Sequence, residues 1–196
     1  MKTTTLSFHN MHEYGPLLAN VLRARYETFI EEAKWDIPSS EGMEYDQYDT
    51  PASRWIVVHD ADTVLAGVRL TPTTARCGIY TYMIRDAQKG LLDSISSDLL
   101  YEEAPVSPDI IESSRIFVSS KVEAKLRMRV QIGLISEMVA SAERMNAKRV
   151  LGLIPANGAR WGRRVGLDIE PAGPVLEFED GTTPSRCVWI NLNASH

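Results

Sequence analysis

The sequence predicts an α/β fold in which one mixed β-sheet is flanked by helices. Strand-like apolar runs at 54–59 and 63–70 are joined by a short connection, which favours a hairpin. The longest helical pattern covers 122–145, and its broad apolar stripe is typical of a helix that packs against a sheet. The almost entirely apolar strand at 148–154 is expected in the sheet interior. We find no internal repeat and no linker, so we expect a single domain over 1–196.

The N-terminal region is predicted to contain one helix and one loop. Residues 1–10 resemble a short strand or tail, whereas apolar side chains recur at a helical period over 12–33. The turn-forming residues 36–40 break this helix. Residues 38–52 are rich in turn formers, and we expect them to form a loop over a functional site.

The later elements alternate between strands and helices. Residues 78–105 look irregular, with a weak helical signal over 84–92. The remaining predicted elements are a strand at 110–118, a short helix that Asn157 caps and that runs to Arg164 with Gly166 closing it, and two strands at 175–178 and 187–192. This order of elements resembles the acyltransferase fold of the GNAT superfamily, an analogy that gives no function by itself.

Composition excludes several classes of protein. No run of eighteen apolar residues is present, so we expect no membrane span. The net charge of -5 argues against a nucleic-acid binder. Cys77 and Cys187 lie far apart in the chain, and we interpret them as reduced thiols in a cytoplasmic protein. The four histidines are scattered, so we expect no metal site: they are His9, His12, His59 and His196.

Arg25 is unusual because it shares one face of the predicted N-terminal helix with the apolar residues Leu18, Leu22 and Phe29. A charge taken out of water needs a partner, and Asp46 and Asp49 follow closely in the chain. A lone arginine would instead extend its head into water. Because two carboxylates and two aromatic residues lie nearby, we favour a built polar site.

Further charged residues stand within apolar strands, namely Arg69, Glu112 and Arg115. Each alone would be read as a surface ion pair contributing about 0–1 kcal/mol. Together with Arg25 and the two aspartates they predict a buried, mutually neutralising network. Glu112 and Arg115 are three residues apart and would point to opposite faces of a regular strand. Either a bulge turns both to one side, or the two have separate partners.

These residues stand in the spacing of four motifs, and the sequence resembles the acyl-homoserine-lactone synthases, the LuxI-type autoinducer synthase family. The agreements are collinear and cover roughly residues 20 to 120. They are R-x-x-x-F-x-x-x-x-x-W at Arg25, Phe29 and Trp35, D-x-x-D at Asp46 and Asp49, R-L-x-P-T at Arg69 to Thr73, and E-x-x-R at Glu112 and Arg115.

The resemblance implies that S-adenosylmethionine, acting as a substrate and not as a cofactor, is acylated from a thioester to give an acyl-homoserine lactone and methylthioadenosine. Glu112 is the first choice for general base and Asp46 the second. Arg69 or Arg115 would hold the substrate carboxylate, and a backbone N–H near Phe117 would stabilise the oxyanion. The residues expected to bind the substrate are Arg25, Phe29, Trp35, Asp49, Ser114 and Phe117. Those expected to line the acyl pocket are Met138, Leu151, Leu153, Trp161 and Trp189.

The acyl donor implied by the resemblance is acyl carrier protein or acyl-CoA. Carrier protein is acidic, and basic clusters at 121–129, 144–149 and 160–164 are candidate docking surfaces. Two alternatives remain open. An ordinary acetyl-CoA N-acetyltransferase would usually carry a glycine-rich phosphate loop, which Arg127 to Gly133 does not match. A non-catalytic module that binds an acyl ligand would have an apolar pocket without a cluster of arginines and carboxylates.

Overall fold

A computed structural model describes residues 1–177 and 183–192. The backbone forms two compact units. The first unit contains Met1–Leu70 and Arg115–Ser141, and the second contains Thr71–Ser114 and the chain from Ala142 onward. The single domain expected from the sequence stays a prediction.

The first unit begins with a strand and a segmented helix. Strand β1 pairs with β4, and β4 pairs with β5 to form the predicted hairpin, all antiparallel. Between β1 and β4 the chain forms a helical segment and a small hairpin of β2 and β3. The elements are β1 (Lys2–Leu6), a 3-10 helix (Met11–Tyr14), α1 (Leu17–Arg25), a π-helix (Tyr26–Glu32), β2 (Ser39–Ser40), β3 (Met43–Glu44), β4 (Arg54–Asp60) and β5 (Thr63–Pro72).

The continuous helix predicted over 12–33 is wrong in its detail. Gly15 has a φ of +53° and, with Pro16, separates the 3-10 helix from α1. After Arg25 the chain continues as a π-helix, which packs more residues into each turn. The buried stripe of α1 is therefore Leu17, Val21, Ala24 and Arg25, whereas Leu18 and Leu22, which the sequence placed on the apolar face, are half-buried.

The second unit contains a mixed sheet, as predicted. Its strands follow the order β6, β7, β9, β8. Strand β6 runs parallel to β7, whereas β9 is antiparallel to both of its neighbours. The strands are β6 (Ile110–Val118), whose N-terminal half belongs to this unit, β7 (Arg149–Pro155), β8 (Asp168–Leu176) and β9 (Ser185–Asn191). The helices are α2 (Met83–Gln88), α3 (Ala124–Arg144), most of which belongs to the first unit, and α4 (Gly158–Arg164).

Two C-terminal predictions need correction. Strand β8 begins at Asp168 and not at residue 175, because a bulge between Pro171 and Val175 lets the strand pass through residues that read as turn formers. Phe178, the predicted end of this strand, lies outside the described residues. Asn157 occupies the cap position of α4 but makes no side-chain capping bond, since its backbone is helical and not extended.

Candidate functional site

Six charged side chains meet in the interior of the first unit. Each of them is at most 11% exposed, which is rare for ionised groups. They alternate in sign and come from α1, β3, the loop after β3, β5 and β6. The three cations are Arg25, Arg69 and Arg115, and the three anions are Glu44, Asp46 and Asp49.

Arg25 joins two of the carboxylates. Its Nε donates to Glu44 Oε2 at 2.5 Å. Its Nη1 and Nη2 donate to the two oxygens of Asp49 at 2.8 and 3.0 Å. This paired contact fixes the relative orientation of the guanidinium and carboxylate planes. The predicted partner of Arg25 is therefore found in Asp49, with Glu44 as a second one.

Arg69 and Arg115 complete the set of contacts. Arg69 donates to both oxygens of Asp46 at 2.5 and 3.2 Å, and its Nη1 lies 3.1 Å from Asp49 Oδ1. Arg115 donates from Nε to Glu44 Oε1 at 3.1 Å, and its Nη2 lies 2.9 Å from Asp46 Oδ2. Each arginine thus contacts two carboxylates, and each carboxylate contacts two arginines. We call this closed arrangement the ion ring.

The loop after β3 is shaped by its own polar groups. The backbone N–H of Tyr48 donates to Asp46 Oδ1, and that of Asp46 donates to Asp49 Oδ2, both at 2.9 Å. Such local bonds are typical of aspartate in turns. The indole Nε1 of Trp55 donates to Asp49 Oδ1 at 2.9 Å. The carboxylates are therefore held by the loop as well as by the arginines.

The ring keeps its aspartates ionised. Burial alone would raise the pKa of Asp46, but Arg69 and Arg115 outweigh burial and lower the pKa below its usual value. Burial likewise opposes ionisation of Asp49, and Arg69 and Arg25 lower its pKa. Three positive and three negative charges then cancel within the ring, which is the condition under which charges are tolerated in a protein interior.

The aromatic motif residues form a stack beside the ring. Phe29 is buried and lies 4.8 Å from Trp35, centroid to centroid, with the rings nearly parallel. The edge of Phe117 meets Phe29 at 6.0 Å, and the guanidinium of Arg115 lies 5.8 Å from the Phe29 ring centroid. Phe29 is thus enclosed as a core residue, whereas Trp35 is half-buried.

Glu112 lies on the part of β6 that belongs to the second unit and is completely buried. Its Oε1 accepts a hydrogen bond from the backbone N–H of Ile84 at 2.7 Å. Burial, with Glu112 as a lesser cause, raises the pKa of the Cys187 thiol to about 12. The same two causes raise the pKa of Tyr82. Both groups therefore stay protonated beside a carboxylate.

The two charged residues of the E-x-x-R motif make different contacts. Glu112 bonds to Ile84, whereas Arg115 bonds to Glu44 and Asp46. Of the two alternatives left by the sequence, these contacts favour the one in which the two residues have separate partners. The backbone of Arg115 is nevertheless unusual, with a φ of +54°, a conformation that costs an L-residue energy and is found at functional sites. Ser114, between them, is 4% exposed.

The predicted acyl-pocket residues do not all share one surface. Leu151 is in register with Trp189, so both side chains lie on one face of the sheet, and Leu153 lies on the same face. Trp161 belongs to α4, whose Gly158 and Gly162 lie against Ile154 and Ile169 on the opposite face. Met138 is fully buried in the part of α3 that belongs to the first unit.

Glu44 is the ring residue that the sequence analysis missed. We expected Glu112 as the third carboxylate of the network, but Glu44 contacts Arg25 and Arg115. One signal was available in the sequence. Glu44 and Asp46 are two residues apart next to a strand, a spacing that places both side chains on one face.

Comparison with known proteins agrees with these motifs. A family model described as autoinducer synthase matches residues 9–151. An acyl-homoserine-lactone synthase from Ralstonia nicotianae is 30% identical over 176 residues, covering 87% of this chain and 80% of the relative. The chain therefore belongs to the autoinducer synthase family, and the predicted class of enzyme, an acyltransferase of that family, is confirmed.

Solved structures share the fold. TofI, in a ternary complex with an inhibitor and MTA, superposes with a TM-score of 0.77 at 25% identity, covering 99% of this chain and 93% of TofI. BjaI, a CoA-dependent acyl-homoserine lactone synthase solved with SAM and isopentyl-CoA, gives 0.76 at 20% identity, covering 96% and 82%. An acyl-CoA N-acyltransferase from Pseudomonas aeruginosa gives 0.60 at 15% identity, covering 96% and 99%. The GNAT-like fold is confirmed.

Two features are absent from residues 1–177 and 183–192. No helix there has the length and apolar character to cross a bilayer. Within the same ranges, no group of three or more His, Cys, Asp and Glu side chains is arranged to hold a metal ion.

Proposed function

We propose that this chain makes an acyl-homoserine lactone from S-adenosylmethionine and an acyl thioester, and releases methylthioadenosine. The observation that carries the proposal is the ion ring. It is formed by motif residues of the autoinducer synthase family, Arg25, Asp46, Asp49, Arg69 and Arg115, together with Glu44. A non-catalytic acyl-binding module would have no need to bury so many charges.

In the first step the α-amine of S-adenosylmethionine attacks the thioester carbonyl. An α-amino group has a pKa of about 7.7–8.0, so a base must take one proton before the C–N bond forms. We assign this role to Glu112. Its complete burial and the hydrogen bond that it accepts from the Ile84 N–H favour a positioned base. The thiolate leaves with the electron pair of the C–S bond and takes up the second proton that the nitrogen loses as the amide forms.

Asp46 is the weaker candidate for the base. It contacts Arg69 and Arg115, and both arginines lower its pKa. A carboxylate stabilised in this way is a poor proton acceptor at neutral pH, because its proton affinity is low. We therefore assign Asp46 and Asp49 the role of holding the guanidinium groups in place.

In the second step the substrate carboxylate attacks its own γ-carbon, and the C–S bond to methylthioadenosine breaks. The reaction is intramolecular, so holding the carboxylate in the reactive conformation supplies much of the acceleration. Arg115 suits this task better than Arg69. Its side chain is 11% exposed, whereas that of Arg69 is fully buried among Asp46, Asp49 and the Tyr48 ring.

Trp35 is the aromatic group proposed to face the sulfonium or the adenine. One face of its indole stacks on Phe29, and the residue is half-buried, so the indole is accessible from another side. A cation over an indole face is stabilised electrostatically. Phe29 and Phe117 are both buried. Phe29 stacks on Trp35, and Phe117 packs against Phe29.

The acyl donor is proposed to be acyl carrier protein or acyl-CoA. Carrier protein is acidic, and exposed basic residues on α3, Lys125, Arg127 and Arg129, offer it a complementary surface. BjaI was solved with an acyl-CoA, and the same donor is open to this chain. Both cysteines of the chain are free thiols, in keeping with action in the cytoplasm.

The proposal is tested in a bacterial host that makes no lactone of its own. Culture medium from cells expressing the chain is analysed by mass spectrometry beside medium from cells expressing Glu112→Gln. We expect a homoserine-lactone fragment ion in the first medium and at least a hundredfold less in the second, since a positioned base typically contributes about 10²–10⁴-fold. Absence of the fragment from both media, with soluble protein present, would refute the proposal.

A further inference from the structure

Helix α2 supplies a backbone contact to Glu112. The N–H of Ile84 on α2 donates to Glu112 Oε1 at 2.7 Å. The helix has only 6 residues, and a helix of this length is not stable in water on its own. The position of the Ile84 N–H must therefore be set by the contacts that α2 makes with the rest of the second unit.

Apolar burial alone does not fix the orientation of α2. Met83, Ile84 and Ala87 are buried and hold the helix in the second unit. The hydrophobic effect that favours this burial is non-directional. Hydrogen bonds, by contrast, weaken steeply when their distance or angle is poor. The polar contacts of α2 are therefore the ones that decide where the Ile84 N–H points.

Gln88, the last residue of α2, joins the helix to the segment 102–105. Its Nε2 donates to the carbonyl of Glu102 at 2.8 Å, and its Oε1 accepts the N–H of Ala104 at 2.7 Å. One side chain thus bonds through both of its polar atoms to the backbone of the same segment. This paired contact fixes both the distance and the orientation between the end of α2 and that segment.

Tyr82 makes a third contact to the same segment. Its side chain is fully buried, and its hydroxyl donates to the carbonyl of Pro105 at 2.6 Å. Tyr82 immediately precedes α2, and Gln88 ends it. The helix is therefore bonded to the segment 102–105 at both of its ends, with Ile84 between them. We call Tyr82, Gln88 and the segment 102–105 the α2 clamp.

The chain just before the segment 102–105 is anchored to strand β8. The N–H of Tyr101 donates to the carbonyl of Ala172 at 3.0 Å. Leu99 is fully buried, and a Cβ added to Gly173 would clash with its carbonyl oxygen. Glycine at this position therefore lets the two backbones approach closely. The α2 clamp is thus tied to the sheet of the second unit.

The hydrogen bond from α2 bears on the protonation of Glu112. Burial, and after it Glu112, raises the pKa of both Cys187 on β9 and Tyr82, so these two groups stay protonated. On α2 itself, the charges of Arg85 and Asp86 act on Tyr82 in opposite directions. A hydrogen bond donated to a carboxylate favours its ionised form. The Ile84 N–H therefore favours the form of Glu112 that can accept a proton.

We propose that Gln88 and Tyr82 are positioning residues for the base. They dock α2 on the segment 102–105 and so hold the Ile84 N–H against the carboxylate of Glu112. Each acts through α2 and not on the substrate. The inference rests on the proposed function, in which Glu112 takes the proton of the α-amine, and it adds the residues that orient this carboxylate.

The first experiment does not depend on activity. Exchange of the Ile84 N–H with solvent deuterium is followed by NMR in the ¹⁵N-labelled full chain. We expect Gln88→Ala, which loses both bonds to the segment 102–105, to exchange this proton about tenfold faster or more. The N–H of Leu151 on β7 is the reference and should exchange at an unchanged rate, which separates local loosening from global unfolding.

Lys89→Ala is the matched control for this measurement, because Lys89 is the next residue and is exposed. It should change the exchange rate of the Ile84 N–H by less than about twofold, as expected for a surface substitution. Unchanged protection of the Ile84 N–H in a folded Gln88→Ala protein would overturn the proposal. So would equal acceleration by Gln88→Ala and Lys89→Ala.

The second experiment measures how kcat/KM for methylthioadenosine release depends on pH. A carboxylate that loses a hydrogen bond takes up a proton more readily, so Gln88→Ala and Tyr82→Phe should move the acid limb to higher pH by about half a unit or more. The α-amine of S-adenosylmethionine titrates identically in every assay, so a difference between variants reports on the enzyme. Lys89→Ala should give the profile of the unaltered chain.

The two experiments distinguish failure of the inference from failure of the proposed function. Profiles that are lowered at every pH, with acid limbs that coincide, would refute the positioning role and leave lactone synthesis intact. No methylthioadenosine release by the unaltered chain would instead refute lactone synthesis. The exchange rate of the Ile84 N–H would then decide by itself whether Gln88 holds α2 against Glu112.

Discussion

Each residue of the ion ring is stabilised by two others, so the ring responds as a unit to the loss of any one of them. Arg25 and Arg115 both contact Glu44, so the loss of Glu44 removes one carboxylate contact from each arginine. A buried ion pair adds little net stability over apolar packing, but removing one partner leaves an uncompensated charge in the interior. The ring therefore holds the guanidinium groups in fixed positions and adds little net stability.

Replacing Glu44 tests this view. We expect Glu44→Gln to reduce the free energy of unfolding by about 3–5 kcal/mol, because one buried positive charge then lacks its counterion. Urea unfolding followed by tryptophan fluorescence measures the change. Glu31→Gln, at an exposed position of the π-helix, is the control and should change stability by less than about 0.5 kcal/mol. Equal stability of Glu44→Gln and Glu31→Gln would contradict the ring as described.

Glu112→Gln separates a catalytic role from a structural one. The amide oxygen of glutamine can accept the Ile84 N–H bond, so the fold should be retained. We expect the rate of methylthioadenosine release to fall about 10²–10⁴-fold, with the KM for S-adenosylmethionine changed far less. Steady-state kinetics on the purified protein gives both quantities. A variant that unfolds, or one that keeps more than a tenth of the rate, would remove Glu112 from this role.

Single site residues were predictable from the sequence only where a charged side chain stood among apolar ones. Arg25 stood out because a charge on an apolar helix face needs a partner, and Asp49 supplied it. Glu44 was missed because it belongs to a two-residue strand, which is too short to show a periodic pattern. The left-handed backbone of Arg115 was also unpredictable, since arginine has no preference for positive φ.

At the scale of elements, the aromatic stack depends on one close contact between Gly67 on β5 and Phe117 on β6. A Cβ added to Gly67 on β5 would lie 2.8 Å from Phe117 Cε1, which is closer than side chains pack. Phe117 in turn meets the edge of Phe29, on which Trp35 stacks. The glycine therefore determines where the aromatic residues beside the ring can sit.

Two glycine-to-alanine changes should have opposite effects. Gly67→Ala is expected to lower the free energy of unfolding by about 1–3 kcal/mol through overpacking, and to weaken S-adenosylmethionine binding. Gly133→Ala on α3 has room, with Thr3 Oγ1 at 3.8 Å, and should raise stability by about 1 kcal/mol through helix propensity. Thermal unfolding and ligand titration measure both effects. Stabilisation by Gly67→Ala would show that Phe117 has freedom that the structure does not indicate.

Elements with a long, regular pattern were predicted well. The hairpin of β4 and β5, strand β6 and helix α3 lie within two residues of their expected bounds. The segmented N-terminal helix was not predicted. Over seven residues, the apolar pattern of a π-helix does not differ clearly from that of an α-helix. Strand β8 was hidden by Pro171 and Gly173, which a bulge accommodates.

At the scale of the whole molecule, stability depends on pH through the ring. Asp46 and Asp49 have pKa values below the ordinary aspartate value of about 3.9. A lowered folded-state pKa contributes stability that is complete above the unfolded-state pKa and is lost as the pH falls toward the folded-state value. We expect the free energy of unfolding to be nearly constant from pH 7 to 5 and to fall steeply below about pH 4.

Urea unfolding at several pH values measures this dependence. Asp49→Asn, which has one titrating ring carboxylate fewer, should show a smaller loss of stability between pH 5 and pH 3 than the unaltered chain. A stability that does not decline in this interval would mean that the ring aspartates titrate at ordinary values.

The family was predictable from the sequence because four short motifs kept their order and spacing over roughly residues 20 to 120. The cavity beside α4 was not predictable, because Arg186 is distant in sequence from Arg160 and Arg163, and the pairing of β7 with β9 brings them together. Contacts between residues far apart in the chain depend on packing that no local pattern specifies.

We propose that this chain acylates S-adenosylmethionine and closes its methionine portion into a lactone. The most direct test supplies purified protein with S-adenosylmethionine carrying ¹³C in the methionine chain and with an unlabelled acyl thioester, on carrier protein or on CoA. We predict that mass spectrometry will find the label in the lactone ring of an acyl-homoserine lactone, with an equimolar amount of methylthioadenosine. Methylthioadenosine without a labelled lactone, or no consumption of S-adenosylmethionine with either donor, would contradict the account.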